Sequence, residues 1–448
     1  MVQKNVSINF DKKAGRLRPV NGMNKGPLFG QDLSVDFTEE FATMCVPTVR
    51  VSDVEPPYGG GRFVDLHNVF PDFSLDERFE LSYNFAPTDE YLGAVKRSGA
   101  EIFLRLGESY DPYEIKPYYK LPRDHEKWAA VCERILAHYN EGWGRGFKWG
   151  IKYVELTCEV DMERSGIDIC DYFSFYRAVA TRLKARFPRV RIGAYSSGGF
   201  FSLNHYNATP VQRNYVETLE KFLDLAAAEP SFPLDFLSWK CYAETPEELS
   251  LHASYARNYL DQSGFRKTLS IVSEFNLLGA QTGELFSRRD YPAKLVASLV
   301  IAQKSSIDMM FYADADPRSR KNCLYTLDDG ITKRYRAAYR ALCAFGALAE
   351  LKSLAECTGD FWREIYTLAA YNGYDGAALV VTRDFGGLIE LSVSGGDFAS
   401  YSVMGLVGGG ERGAGFTSEQ NNVPLGEGKI LLRAGKNQVY LVRLHGKE

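Results

Sequence analysis

The chain has 448 residues, of which 45% are hydrophobic and 25% are charged, and this ordinary globular composition provides enough apolar material for a large core. Its length suits two or three domains, or one barrel of about 250 residues with an addition. A formal net charge of −4 excludes the basic field of a typical nucleic-acid-binding protein, so we expect no nucleic-acid partner.

The start of the chain and its cysteines both bear on the compartment. The N-terminal sequence MVQKNVSINF lacks the apolar core of a secretion signal, and no apolar run reaches the about 18 residues of a membrane span. We therefore expect a cytoplasmic protein with no membrane partner, and secretion stays open if a leader precedes this sequence. None of the eight cysteines forms a C-x-x-C pair or a zinc-like cluster, which predicts reduced, mostly buried thiols and no metal. They are Cys45, Cys132, Cys158, Cys170, Cys241, Cys323, Cys343 and Cys357.

Short apolar segments alternate with longer helical patterns over residues 1–345, which predicts a parallel sheet with crossover helices. The eight predicted strands are 20–24, 47–53, 101–107, 152–158, 190–194, 236–242, 268–273 and 309–313. The predicted helices are 88–97, 126–139, 171–187, 211–228, 246–262 and 291–304. Eight strands are the number of a (β/α)8 TIM barrel, whereas an open doubly wound sheet more commonly has five or six.

The pattern changes in residues 346–448, where short strands are divided by Gly- and Asn-rich turns. This is typical of an antiparallel β-sandwich. The Gly-rich segment 405–424 is predicted to be a loop, and a strand within about residues 1–12 is a candidate to join the sandwich. The predicted fold class is thus α/β: a (β/α)8 catalytic barrel over 1–345, followed by a C-terminal antiparallel β-sandwich domain.

Two glutamates follow predicted strands four and seven, at Leu156-Thr-Cys-Glu159 and Ile271-Val-Ser-Glu274. The active site of a (β/α)8 barrel lies where the strands end, so these carboxylates would share one mouth. A pair of carboxylates there suits glycoside hydrolysis, in which one protonates the leaving oxygen and the other attacks the anomeric carbon or activates water. A glutamate at a strand end is about as often a helix cap or a surface charge.

The motifs around this pair resemble glycoside hydrolase family 39, the β-xylosidase and α-L-iduronidase family of clan A. Tyr153-Val-Glu-Leu-Thr-Cys-Glu-Val160 is similar to the family's F-E-x-W-N-E-P, and Val272-Ser-Glu-Phe-Asn276 to its I-T-E-[YF]-N. The resemblance covers most of residues 20–345, and a trailing β domain is also typical. It implies Glu159 as acid/base, Glu274 as nucleophile, retention of configuration through a glycosyl-enzyme intermediate, and no cofactor. Repulsion between the carboxylates and partial burial are expected to keep a proton on Glu159 near neutral pH.

The sequence departs from the family around the sugar. Cys158 stands where the family has the Asn whose amide contacts the sugar's 2-hydroxyl, and a thiol cannot replace an amide. Lys240 stands where a His is common, and Phe311-Tyr-Ala-Asp314 lacks the usual Trp of the eighth strand. We therefore predict a glycosidase that acts on a sugar other than the usual family xyloside.

Other polar residues at strand ends complete the predicted site. The resemblance favours Tyr242 as the tyrosine that hydrogen-bonds the nucleophile. Arg50 and Arg105 could hold that carboxylate or an acidic sugar, although an internal salt bridge is the better interpretation of each alone. His67 and His205 are weaker candidates for subsites, since a loop histidine is more often only solvated. The predicted substrate-binding residues are Arg50, Asp53, Arg105, Glu108, Cys158, Lys240, Tyr242, Asn276, Tyr312 and Asp314.

Three other functions remain open at the level of sequence. The chain could be a non-catalytic carbohydrate-binding relative, a transglycosylase or lyase that uses the same carboxylates, or a scaffold whose sandwich is the binding module. In the preferred interpretation the partner is an oligosaccharide or glycoside substrate. A homo-oligomer is left open.

Overall fold

The structure is a computed structural model. It describes residues 2–30, 33–51, 65–108, 121–157, 159–162, 165–280, 283, 285, 288–359, 361–407 and 415–447. Two predicted site residues, Asp53 and Cys158, lie outside these ranges.

The strands of the described part are β1 (Gln3–Arg16), β2 (Gly22–Asn24), β3 (Leu28–Phe29), β4 (Val35–Asp36), β5 (Thr48–Val51), β6 (Glu101–Leu106), β7 (Tyr153–Leu156), β8 (Arg191–Ser197), β9 (Phe236–Ala243), β10 (Leu269–Leu277), β11 (Met309–Tyr312), β12 (Tyr325–Asp328), β13 (Thr332–Tyr335), β14 (Ser353–Thr358), β15 (Ile365–Tyr371), β16 (Gly376–Thr382), β17 (Gly387–Ser394), β18 (Phe398–Val407), β19 (Gly415–Pro424), β20 (Lys429–Ala434) and β21 (Gln438–Gly446). The α-helices of that part are α1 (Thr38–Thr43), α2 (Leu66–Val69), α3 (Ala86–Arg97), α4 (His125–Asn140), α5 (Ile169–Arg186), α6 (Pro210–Ala227), α7 (Pro246–Gln262), α8 (Tyr291–Lys304) and α9 (Ala337–Ala349).

Eight parallel strands close into a barrel in the order β10-β11-β2-β5-β6-β7-β8-β9, which confirms the predicted (β/α)8 architecture. The strands are apolar on both faces because one face fills the barrel and the other meets the helices. An aromatic and aliphatic plug formed by Phe103, Phe236, Ile271, Met309 and Phe311 fills the interior towards the start of the strands. The charged residues Arg50, Glu155 and Lys240 lie further along their strands, towards the end where a barrel carries its site.

The helices that link these strands begin at local sequence signals. The side chain of Thr209 accepts a hydrogen bond from the backbone N–H of Gln212 and forms a capping box at the start of α6, and Asp124 and Asp168 cap α4 and α5 in the same way. Such caps satisfy backbone N–H groups that have no partner within the helix. None of the helices in the described ranges is long and apolar enough to cross a membrane.

The C-terminal unit is one continuous nine-stranded sheet in the order β19-β18-β21-β16-β15-β14-β1-β17-β20. It is mostly antiparallel; the exception is β1, which runs parallel to β17 while pairing antiparallel with β14. Residues such as Val6, Ile8 and Leu391 build a core of its own on one face. The other face, which includes Leu379 and Leu441, joins the core shared with the barrel helices.

The prediction that 405–424 is a loop is wrong where the structure describes it. β18 continues to Val407, and β19 covers Gly415–Pro424 and pairs antiparallel with it. β19 is polar and largely exposed, so the alternation of apolar and polar residues that reveals a half-buried strand is weak there. Its conformation comes from pairing with β18 at the edge of the sheet rather than from its own composition.

Candidate active site

Glu274 lies on β10 at the mouth of the barrel, with 12% of its side chain exposed. The hydroxyl of Tyr242 donates a 2.7 Å hydrogen bond to its Oε2. Its Oε1 lies 3.1 Å from Nζ of Lys240 and 3.9 Å from the guanidinium of Arg50, and Nζ of Lys321 is 3.7 Å from Oε2. Burial alone would raise the pKa of Glu274, but these three cations and the hydrogen bond from Tyr242 hold it well below its usual range.

Glu159 reaches the same mouth from the irregular end of β7. Its backbone has a φ of +57°, and its N–H donates a 2.8 Å hydrogen bond to the carbonyl of Tyr195 on β8. The side chain is 14% exposed, and its Oε1 contacts Nζ of Lys240. The positive φ, which is uncommon for a residue with a side chain, belongs to the turn that leads this glutamate out of the strand.

Lys240, on β9, joins the two carboxylates. Its Nζ contacts Oε1 of Glu159 and Oε1 of Glu274. The two carboxylates therefore lie on either side of one ammonium group at the mouth of the barrel, where two acids could act on the same glycosidic bond. The ammonium group between the carboxylates offsets part of the repulsion that the sequence analysis expected between them, and the proton on Glu159 stays a prediction.

Arg50 is held mainly by a buried acid that the sequence analysis missed. Its Nε and terminal nitrogen donate to Oε2 of Glu155 at 3.0 and 2.5 Å, and its other terminal nitrogen donates to Asn24 at 2.9 Å. Glu155 points into the barrel from β7 and is fully buried. These contacts match the internal salt bridge, and a role of Arg50 towards substrate stays a prediction. A charged residue in the middle of an otherwise apolar strand was the available signal for Glu155.

Arg105 and Glu108 form a second polar group, at the end of β6. Arg105 donates to Oδ1 of Asp65 and to the carbonyl of Glu108, both at 2.8 Å. The carboxylate of Glu108 contacts the ring of His67 and accepts a 3.2 Å hydrogen bond from the backbone N–H of His67. This network joins β6 to α2, and within the described residues no ion pair links it to Glu159 or Glu274.

Asn276 and Tyr312 lie below the mouth and support a segment that follows β11. The amide of Asn276 donates to the carbonyls of Ala313 and Lys321 at 2.7 and 3.1 Å. The hydroxyl of Tyr312 accepts a 3.0 Å hydrogen bond from the backbone N–H of Cys323. Both residues are buried, so in this structure they position the segment that carries Lys321, and contact with a sugar stays a prediction.

Asp314 lies on the same segment and is also buried. Its carboxylate accepts hydrogen bonds from the backbone N–H of Asp316 and from the hydroxyl of Ser319, each at 3.1 Å, and Lys25 lies 3.7 Å away. Burial raises the pKa of Asp314 above its usual value in spite of Lys25 and Lys321. These contacts fold the turn that follows β11, and a role in binding sugar hydroxyls stays a prediction.

Asp161, two residues after Glu159, is a second acid that the sequence did not reveal. Its Oδ2 accepts hydrogen bonds from the hydroxyl of Ser197 at 2.8 Å and from the N–H of Gly198 at 2.9 Å, while its Oδ1 has no partner. Burial raises the pKa of Asp161 to about 6. It fixes the turn that carries Glu159 against the end of β8.

Of the seven described cysteines, Cys132, Cys241 and Cys323 are buried, and the others are partly or fully exposed. The prediction that most would be buried is therefore too strong. Among the described residues no group of three or more His, Cys, Asp or Glu is arranged to hold a metal ion.

No protein-family model and no curated protein matches the chain. Solved structures match it over its full length. A glucosidase from Croceicoccus marinus is 20% identical with a TM-score of 0.77, covering 100% of both chains. A GH39 β-xylosidase from Caulobacter crescentus is 13% identical (TM-score 0.69; 99% of this chain, 100% of that one), and an α-L-arabinofuranosidase from Thermotoga maritima is 12% identical (0.66; 99% and 100%). These structural neighbours are glycoside hydrolases, and at such identities the likeness establishes that this chain has their fold, a (β/α)8 barrel with a C-terminal β domain.

Proposed function

We propose that the protein is a retaining glycoside hydrolase with Glu274 as nucleophile and Glu159 as acid/base. The observation that carries the proposal is the pair of carboxylates at the barrel mouth, both in contact with Lys240, since glycoside hydrolysis needs two such acids beside one bond. Support comes also from structural neighbours that are described as a glucosidase, a xylosidase and an arabinofuranosidase. The alternatives of a binding protein, transglycosylase or lyase are not favoured by any of these observations.

In the first step an oxygen of Glu274 bonds to the anomeric carbon, while the bond from that carbon to the leaving oxygen breaks and Glu159 protonates that oxygen. The cations around Glu274 keep it ionised and therefore able to attack. The hydroxyl of Tyr242 orients it through Oε2, which leaves Oε1 towards Lys240. Because Lys240 also contacts Glu159, the entering sugar has to separate that ion pair before Glu159 can carry the proton.

In the second step water attacks the anomeric carbon, the ester bond to Glu274 breaks, and Glu159 accepts the water's proton. During the intermediate Glu274 carries no charge, so the ammonium of Lys240 has only one carboxylate to neutralise. Glu159 acts as a general base only in its ionised form, and in the intermediate it is the charged carboxylate that Lys240 contacts.

The substrate is proposed to be a sugar other than a simple β-xyloside. The sequence has a thiol, Cys158, where the family has a hydrogen-bonding amide, and Lys240 where it commonly has His. An altered substituent at the carbon next to the anomeric centre, a furanose or a ketose would fit this change. Turnover of an aryl β-xyloside at a rate usual for the family would contradict the proposal on substrate.

The test uses a panel of aryl glycosides with Glu274→Ala and Glu159→Ala. We expect Glu274→Ala to lose turnover by several orders of magnitude. Glu159→Ala should keep activity on substrates with good leaving groups and should regain rate with azide, forming a glycosyl azide of retained configuration. Glu101→Ala, at the opposite end of the barrel on β6, is the control and should behave as wild type. Activity retained by Glu274→Ala, or an inverted product, would refute the mechanism.

A further inference from the structure

A cavity of about 510 Å³ lies between the barrel and the C-terminal sheet. We call it the junction pocket. Its barrel side is built by the loop after β8 and by the turn that joins β9 to α7, and its other side by the turn that precedes β15. The lining residues that matter here are Asn204, His205, Glu244, Glu248, Trp362 and Arg363.

Trp362 stands at the tip of a firmly anchored turn and is 64% exposed. Phe361 and Ile365 form a bridge across the base of this turn. The N–H of Arg363 donates a 3.0 Å hydrogen bond to the hydroxyl of Tyr366, which itself donates to Glu247 on α7. The turn is thus fixed through its backbone, and the large indole that it carries is left uncovered beside the cavity, where an aromatic face can serve as a binding platform.

The opposite wall is polar and equally well fixed. Nε2 of His205 lies 2.8 Å from Oε1 of Glu248, which also accepts a 3.1 Å hydrogen bond from the amide of Asn204. The His205 ring stacks on Phe201 at a centroid distance of 3.8 Å. Glu244 is half exposed, with Oε1 3.7 Å from Nδ1 of His205. Glu248 and His205 thus fix the wall, and the half-exposed carboxylate of Glu244 is available to accept hydrogen bonds from a ligand.

Most charged groups of the junction pocket have partners within the protein. Glu248 contacts the imidazoles of His205 and His252, Glu247 pairs with Arg383, and Glu244 and Arg363 line the cavity with opposite charges. The described lining therefore offers neither a cluster of cations to a polyanion nor a cluster of exposed carboxylates to a polycation. An aromatic face together with fixed acceptors and donors instead suits a neutral, polyhydroxylated ring.

The junction pocket is at the catalytic end of the barrel. β9 carries Lys240 and Tyr242, which contact the carboxylate pair, and Glu244 follows directly after the strand and lines the pocket. We propose that the junction pocket is a distal subsite that binds sugar units of a neutral oligosaccharide away from the bond that is cleaved. The proposal rests on the proposed glycosidase function and adds that the natural substrate is longer than a disaccharide.

The first test compares short and long substrates in Trp362→Ala and Trp362→Phe. With Trp362→Ala we expect kcat/KM on a reactive oligosaccharide of four or more units to fall about tenfold, the equivalent of about 1.4 kcal/mol, while kcat/KM on the aryl monoglycoside stays unchanged. Trp362→Phe should recover most of the loss. Phe79→Ala removes an aromatic side chain of similar exposure, 62%, on a segment outside the pocket, and should affect neither substrate. Equal effects on both substrates, or none on the longer one, would overturn the subsite.

The second test measures binding without turnover. Cello- and xylo-oligosaccharides are titrated into Glu274→Gln, with and without Trp362→Ala, following tryptophan fluorescence and heat. Saturable binding that requires Trp362 supports the subsite even if no glycoside is hydrolysed, in which case only the glycosidase function fails. Hydrolysis of oligosaccharides without any Trp362-dependent binding leaves the glycosidase function intact and overturns the subsite. Absence of both binding and hydrolysis across the panel also overturns it.

Discussion

Lys240 determines how the carboxylate pair is ionised. It is the largest of the cationic influences that keep the pKa of Glu274 low against the effect of burial. In Lys240→Met only Lys321, Arg50 and Tyr242 oppose burial, so the pKa of Glu274 should rise and the nucleophile should become protonated at a higher pH. We expect the acid limb of the kcat/KM profile to move up by at least about one pH unit, measured on an aryl glycoside with a good leaving group.

The control for this shift is Lys12→Met, which removes an exposed lysine on β1 and should leave the profile unchanged. If the Lys240→Met protein is too slow to assay, the titration of Glu274 can be followed by carboxylate NMR in both proteins. If neither the acid limb of the kcat/KM profile nor the titration of Glu274 changes in Lys240→Met, Lys240 does not set the pKa of Glu274 and the prediction is wrong.

Asp161 should make the stability of the protein depend on pH. Its folded-state pKa of about 6 is above its ordinary value, so between about pH 4 and 6 the folded state holds a proton that the unfolded state has released. The free energy of unfolding therefore falls as pH rises through this window. Asp161→Asn keeps an acceptor for Ser197 and Gly198 without the charge, and at pH 7 it should be more stable by about 3 kcal/mol, with little difference near pH 4.

Denaturant unfolding at pH 4.5 and pH 7 measures this effect. The comparison variant is Asp168→Asn, at the exposed cap of α5, where a hydrogen bond from Cys170 holds the pKa of the aspartate below its usual value. It should show no gain at pH 7, because ionisation there is favoured by folding. The prediction is contradicted if the difference in unfolding free energy between Asp161→Asn and wild type is no larger at pH 7 than at pH 4.5.

Family-like motifs on two strands led to Glu159 and Glu274, and both side chains lie at the barrel mouth. The predicted contact between Tyr242 and Glu274 is present, while the catalytic roles of these residues stay predictions. The sequence showed that Lys240 replaces the His common in the family. Its position between the carboxylates depends on three strands that meet at the mouth, and no local sequence pattern predicts that. Glu155 and Asp161 were missed because each is a single charge whose partners, Arg50 and Ser197, are distant in sequence.

At the scale of elements, prediction succeeded where periodicity is strong. The six predicted helices and all eight barrel strands are present, with α7 and α8 at their predicted bounds, because apolar spacing and capping residues define them locally. The boundaries of β2 and β8 differ by a few residues, since hydrogen bonding to neighbouring strands sets where a strand begins and ends. β19 was lost for a related reason: an edge strand with polar side chains has little pattern of its own.

At the scale of the whole molecule, the chain attaches its two units to each other through apolar and ionic contacts. Strands β15, β16 and β21 pack on α8 and α9, which gives the C-terminal sheet an apolar face besides its own core. Beside this interface lies a buried ion pair, in which Arg383 at the end of β16 contacts Glu247 of α7, with Tyr366 donating to the same carboxylate oxygen. The same pair anchors the turn that carries Trp362.

This ion pair should be costly to break yet easy to replace. Oε2 of Glu247 and Nε of Arg383 have no hydrogen-bond partner, so the desolvation of the two charges is incompletely offset. Arg383→Met alone leaves Glu247 buried and uncompensated and should lower the free energy of unfolding by about 3–5 kcal/mol, whereas Glu247→Met with Arg383→Met should cost far less than the single changes combined. Denaturant unfolding of the four proteins gives this cycle at neutral pH, where the lowered pKa of Glu247 keeps it ionised. Additive losses would mean that the two charges act independently, and the junction would then depend on its apolar contacts alone.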